Sequence, residues 1–92
     1  MEVIELDLAS VETPMDLHVL LWDRLGFPSY YGRNWDAFWD CITDPQQSSM
    51  PNVLRLSGWS ILNRRMPRDA RLLRQALEDL PTERPGIRVE WA

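Results

Sequence analysis

The sequence predicts an α/β domain in which a small three-stranded parallel β-sheet is packed with three to four helices. Three observations lead there. Short runs rich in branched apolar residues stand at 2–8, 52–56 and 87–91. Segments with apolar residues at helical spacing lie between them, and each gap is long enough for a crossover connection. Strands alternating with helices favour a parallel sheet with right-handed connections.

The first run, Glu-Val-Ile-Glu-Leu-Asp-Leu, is a strand by composition. Thr13-Pro14-Met15-Asp16 then marks a helix start, with a hydroxyl cap, proline in the first turn and a carboxylate three residues after the cap. Leu17, Leu20, Leu21 and Leu25 give that helix a core stripe, Trp22 widens it, and Gly26 stops it. Pro28 and Gly32 define a loop over 27–33. Asn34 is placed to cap a second helix that ends near Thr43, ahead of Pro45. A polar loop at 45–51 leads to the strand 52–56, and Trp59 to Asn63 forms a short helical piece. From Arg68 onward, Leu72, Leu73, Ala76, Leu77 and Leu80 mark a last helix that Pro81 is expected to stop. Ile87, Val89 and Trp91 alternate with Arg88 and Glu90 in the closing strand.

At 92 residues the chain is expected to form a single domain, 1–92, close to the lower limit for one hydrophobic core, and its five tryptophans enlarge that core. A lone cysteine, Cys41, excludes an intrachain disulfide and fits a reducing compartment. No stretch is apolar for long enough to span a bilayer, and the first residues lack the features of a secretory signal, so a soluble, cytoplasmic protein is expected. The net charge of −4 is unevenly spread. Residues 1–44 hold nine carboxylates and two arginines, whereas residues 45–92 hold five carboxylates and eight arginines.

The most informative segment is Tyr30-Tyr31-Gly32-Arg33-Asn34-Trp35-Asp36-Ala37-Phe38-Trp39-Asp40-Cys41-Ile42-Thr43-Asp44. At helical spacing Trp35, Phe38, Trp39 and Ile42 share one side, and Asp36 and Asp40 stand one turn apart on another, with Thr43 and Asp44 near the end of that row. An acidic ridge on a stiff apolar base suits a cationic partner. Side chains four residues apart lie about 6 Å from each other, close to the roughly 6 to 7 Å between successive phosphates of a nucleic-acid strand.

This segment resembles the signature of the barstar family, cytosolic protein inhibitors that block a ribonuclease made by the same cell. Asp16-Leu17-His18, the 51–56 stretch and the order of elements are also similar. The resemblance implies a barstar-like fold and an interface in which the second helix and its preceding loop plug the enzyme's active site. By position, it assigns partner contacts to Tyr30, Tyr31, Gly32, Asn34, Asp36, Ala37, Trp39, Asp40, Thr43, Asp44 and Glu78, with Asp79 as the alternative to Glu78 and Asp40 as the foremost contact. Two departures bear on partner choice: Arg33 carries a positive charge where the best-known member has a negative one, and Asp44-Pro45 replaces a glycine and a tryptophan.

The residues also admit plainer roles. Trp35, Phe38 and Ile42 suit the core, one of Tyr30 and Tyr31 closes the loop over it, and Cys41 behaves as a small apolar group. His18 has no evident partner and is read as structural. Arg64, Arg65, Arg68, Arg71 and Arg74 form a basic cluster, but no aromatic residues interleave them and the pI is below 5, so a solvated face is expected and no direct nucleic-acid binding. Paired carboxylates can serve a glycosidase, yet no nucleophile motif, phosphate loop or metal-spaced ligand set accompanies them, so no enzyme, cofactor or metal is expected. The expected function is one-to-one occlusion of a cognate ribonuclease or ribonuclease toxin domain, in the manner of a bacterial immunity protein or antitoxin. The alternative is a binding module of the same fold directed at a non-ribonuclease toxin or regulatory partner.

Overall fold

Strands β1 (Val3–Asp7), β2 (Val53–Ser57) and β3 (Arg88–Trp91) form one parallel sheet in the order β1-β2-β3 in the computed structural model, which describes residues 1–92. The register pairs Leu6 with Leu56 and Leu56 with Trp91, and it aligns Glu5, Arg55 and Glu90 across the sheet. Helices α1 (Pro14–Leu25) and α2 (Trp35–Thr43) join β1 to β2, and α3 (Trp59–Arg65) and α4 (Pro67–Glu83) join β2 to β3. A 3-10 turn, Leu8–Ser10, follows β1.

Because both crossovers step in the same direction, right-handed connections put every helix on one face of the sheet. Burial follows that division. Leu6, Leu54 and Leu56 are buried on the helix side with Ile4, Val89 and Trp91 packed beside them. On the open face Arg55 bonds Glu5 at 2.9 Å and Glu90 at 3.0 Å, and Arg88 reaches Glu90 at 2.9 Å. These exposed pairs share the open face with Val3 and Val53 and add little stability.

The start of α1 is built as its sequence indicates. Thr13 Oγ1 accepts the Asp16 N–H at 3.1 Å, Pro14 opens the helix, and Gly26 closes it in the left-handed conformation at φ +66°. The short piece at Trp59 continues two residues beyond the expected Asn63, to Arg65.

The last helix does not stop at Pro81 as expected; it runs on to Glu83. A proline removes one helical N–H, but its neighbours keep theirs, and Arg84 N–H still donates to Leu80 O at 2.8 Å. Pro81 therefore lies in the final turn of α4, where one missing bond is tolerated. No helix is long and apolar enough to cross a membrane.

Candidate functional site

The loop before α2 fixes where that helix begins. Asn34 Oδ1 accepts the Ala37 N–H at 2.7 Å, and its Nδ2–H donates to Gly32 O at 3.2 Å, so one side chain caps the helix and holds the loop. A Cβ on Gly32 would lie 3.1 Å from Asn34 Nδ2 and 3.3 Å from the Ala37 Cβ, which favours glycine where the loop presses on the first turn. Between them Arg33 takes φ +53°, a left-handed conformation that costs a residue with a Cβ about 1 kcal/mol.

Phe38 and Ile42 are fully buried, and Cys41 is nearly so. Trp35 meets Phe38 edge-on at 5.3 Å and packs against His18 at 4.6 Å, and its Nε1–H donates to Asp69 Oδ1 of α4 at 2.9 Å. The helix is thus braced by apolar packing along its length and by a hydrogen bond at its first turn.

Asp36 and Asp40 are exposed on the outward side of α2 and take part in no ion pair or side-chain hydrogen bond. Ala37, Trp39 and Thr43 lie partly exposed beside them, and the Thr43 hydroxyl donates back to Trp39 O at 2.8 Å. A hollow of roughly 250 Å³ opens between the loop and α2, lined by Tyr30, Gly32, Ala37 and Asp40.

Three expected contacts are placed differently from the rest. Tyr30 is 71% exposed, whereas Tyr31 is only 4% exposed and belongs to the core. The Tyr31 hydroxyl lies 2.7 Å from His18 Nδ1 and donates to it when the neutral ring carries its proton on Nε2, which gives His18 the partner that the sequence did not reveal. Asp44 caps the end of α2, and its carboxylate accepts the Gln46 N–H at 2.9 Å and the Gln47 Nε2–H at 2.8 Å. Those bonds hold the Asp44 carboxyl below the usual range and leave it committed to its own turn. Glu78 faces a cleft shared with Trp59, Arg71 and Arg74, and lies 3.8 Å from Arg74. Its alternative, Asp79, lines that cleft as well and also the shallow groove that contains Asp36 and Trp39.

The arginine cluster is less uniform than its sequence suggested. Arg65 donates from Nη1 to Ala9 O at 2.6 Å and Val11 O at 2.9 Å. The Arg74 guanidinium lies 4.7 Å from both the Trp59 and Trp91 rings, so aromatic residues do interleave this cluster in space, brought there from α3 and β3.

Burial raises the Cys41 thiol and the Tyr31 phenol above their ordinary values, and it lowers His18 while the Asp69 charge opposes it. No group of three or more His, Cys, Asp or Glu residues is arranged to hold a metal ion. What the arrangement offers is two exposed carboxylates one helical turn apart on a rigid, partly apolar surface.

Residues 1–90 match the family described as Barstar (barnase inhibitor). The Bacillus subtilis (strain 168) protein named "Putative ribonuclease inhibitor YrdF" is 51% identical over 43 residues, 47% of this chain and 47% of that protein. The chain thus aligns with about half the length of that curated relative.

Proposed function

The chain belongs to the barstar family, and on that premise we propose that it is a protein inhibitor that occludes the active site of one ribonuclease molecule. The observation that carries this reading is the unpaired, outward-facing pair Asp36 and Asp40 on a helix braced by Trp35, Phe38 and Ile42. A ribonuclease cleft gathers cations to hold phosphate. Two carboxylates at phosphate-like spacing compete for those cations, and no bond need be made or broken. Tyr30, Gly32 and Asn34 supply the loop side of the contact, and Ala37, Trp39 and Thr43 surround the carboxylates.

Rigidity supports the same reading. A capped helix with a buried apolar face loses little conformational freedom when it docks, so more of the contact energy remains as affinity. The protein acts as an inhibitor rather than an enzyme. It serves as an immunity protein or antitoxin inside the bacterial cell that makes or receives the nuclease.

RNA cleavage by a barnase-type ribonuclease, followed with and without the purified protein, tests the proposal. Wild type should stop cleavage, and Asp40→Ala should restore it. Tight binding to another toxin, with no effect on any ribonuclease, would favour the alternative of a same-fold module with a different target.

A further inference from the structure

Two arginines stand beside the acidic pair without a partner of their own. Arg33, in the loop before α2, and Arg68, in the first turn of α4, are both exposed and take part in no ion pair or side-chain hydrogen bond. They line one open cleft of roughly 500 Å³ together with Asp36, Asn34, Asp69 and Met15. Neither position favours an arginine locally. Arg33 sits at φ +53°, where glycine or asparagine is at ease, and Arg68 places a positive charge near the positive end of the α4 dipole.

We infer that Arg33 and Arg68 form a cationic cleft that receives an acidic side chain of the partner ribonuclease, next to the enzyme cation that Asp36 engages. This deepens the proposed function and rests on it. The cleft's mixed charge identifies the occupant. Asp36 and Asp69 would repel a polyanion such as RNA, whereas a protein surface that alternates a cation with a carboxylate matches both signs at once. Met15, 50% exposed at the rim, adds apolar contact of the kind a protein loop uses. The cleft therefore selects among ribonucleases: all of them present phosphate-binding cations, but only some carry a carboxylate at this edge.

The sign of a charge change tests the inference. An acidic inhibitor attracts a basic enzyme at long range, so removing an arginine should tighten binding if that arginine has no local partner. With a carboxylate in the cleft, the same change weakens it. Inhibition constants are measured at low and high salt against the barnase-type ribonuclease that wild type blocks. Arg33→Ala and Arg68→Ala should each weaken inhibition about tenfold, Arg33→Glu/Arg68→Glu about a hundredfold, and Arg33→Lys and Arg68→Lys should retain most of it. Unchanged or tighter inhibition by the alanine variants overturns the inference, as does saturable binding of inorganic phosphate that requires both arginines. Asp40→Ala is assayed in parallel. If it relieves inhibition while the arginine variants do not weaken it, only the cleft assignment fails. If wild type inhibits no ribonuclease, the proposed function and the cleft assignment fail together.

Discussion

Trp35 donates its indole N–H to Asp69 Oδ1 at 2.9 Å, which ties the first turn of α2 to the first turn of α4. The same indole ring packs on His18 of α1, so one side chain joins three helices behind the acidic surface. The orientation of Asp36 depends on this joint, because Asp36 follows Trp35 directly in the first turn of α2.

Replacing Trp35 with Phe keeps an aromatic ring against Phe38 but removes the donor to Asp69. Urea unfolding should show a loss of about 1 kcal/mol or somewhat more, typical of a partly buried bond to a charged acceptor. Inhibition of a ribonuclease should weaken as well, because α2 loses its brace. Asp69→Asn keeps an acceptor and should cost less.

Asp36 and Asp40 have no partners within the chain, so Asp40→Ala should leave unfolding free energy within about 0.5 kcal/mol of wild type. Asp36→Ala should cost up to about 1 kcal/mol more, since Asp36 faces the positive end of the helix dipole. On a partner's cations each substitution should cost about 2 kcal/mol or more. Chemical denaturation and inhibition assays on the same variants separate the two effects.

His18 sets a pH dependence of known sign. Burial lowers its folded pKa below the ordinary 6.5, so the unfolded chain binds the proton more readily. The stability it confers is complete above about 6.5 and declines as pH falls toward the folded value, then levels off. Tyr31, Trp35 and Asp69 face the ring, and Asp69 is the only one of these whose charge favours protonation. His18→Gln should flatten the pH dependence of thermal unfolding in this window. Asp44 contributes separately in more acidic solution, where protonation removes its bonds to Gln46 and Gln47.

Gly58 precedes α3 at φ +77°, and a Cβ there would lie 2.8 Å from the Ala9 backbone nitrogen. Gly58→Ala therefore combines a left-handed backbone with a backbone clash and should destabilise the domain by about 2 kcal/mol or more. Calorimetry should show a clear drop in Tm, whereas Gly86→Ala, with open space around its added carbon, should change Tm little.

Local signals carried most of the fold. Thr13, Asn34 and Gly26 act where their chemistry indicated, and the apolar spacing of α1, α2 and α4 identified their buried sides. Pro81 misled because a proline stops a helix interior more firmly than a final turn. At the site, the spacing of Asp36 and Asp40 revealed the exposed pair, but the separate fates of Tyr30 and Tyr31 depend on His18, thirteen residues before Tyr31. The Trp59–Arg74–Trp91 stack joins three elements, and no local pattern encodes it. Which of Glu78 and Asp79 shares a groove with Asp36 depends on the rotation of α4 against α2, which packing determines.

Asp40, proposed to stand in for a phosphate in a ribonuclease cleft, is put to the test by a single titration. A fixed concentration of a barnase-type ribonuclease is titrated with wild type and with Asp40→Ala while RNA cleavage is followed. Wild type should inhibit completely and one-to-one, less so as salt is added, and Asp40→Ala should raise the inhibition constant about thirtyfold or more. Equal inhibition by the two proteins would contradict that role of Asp40.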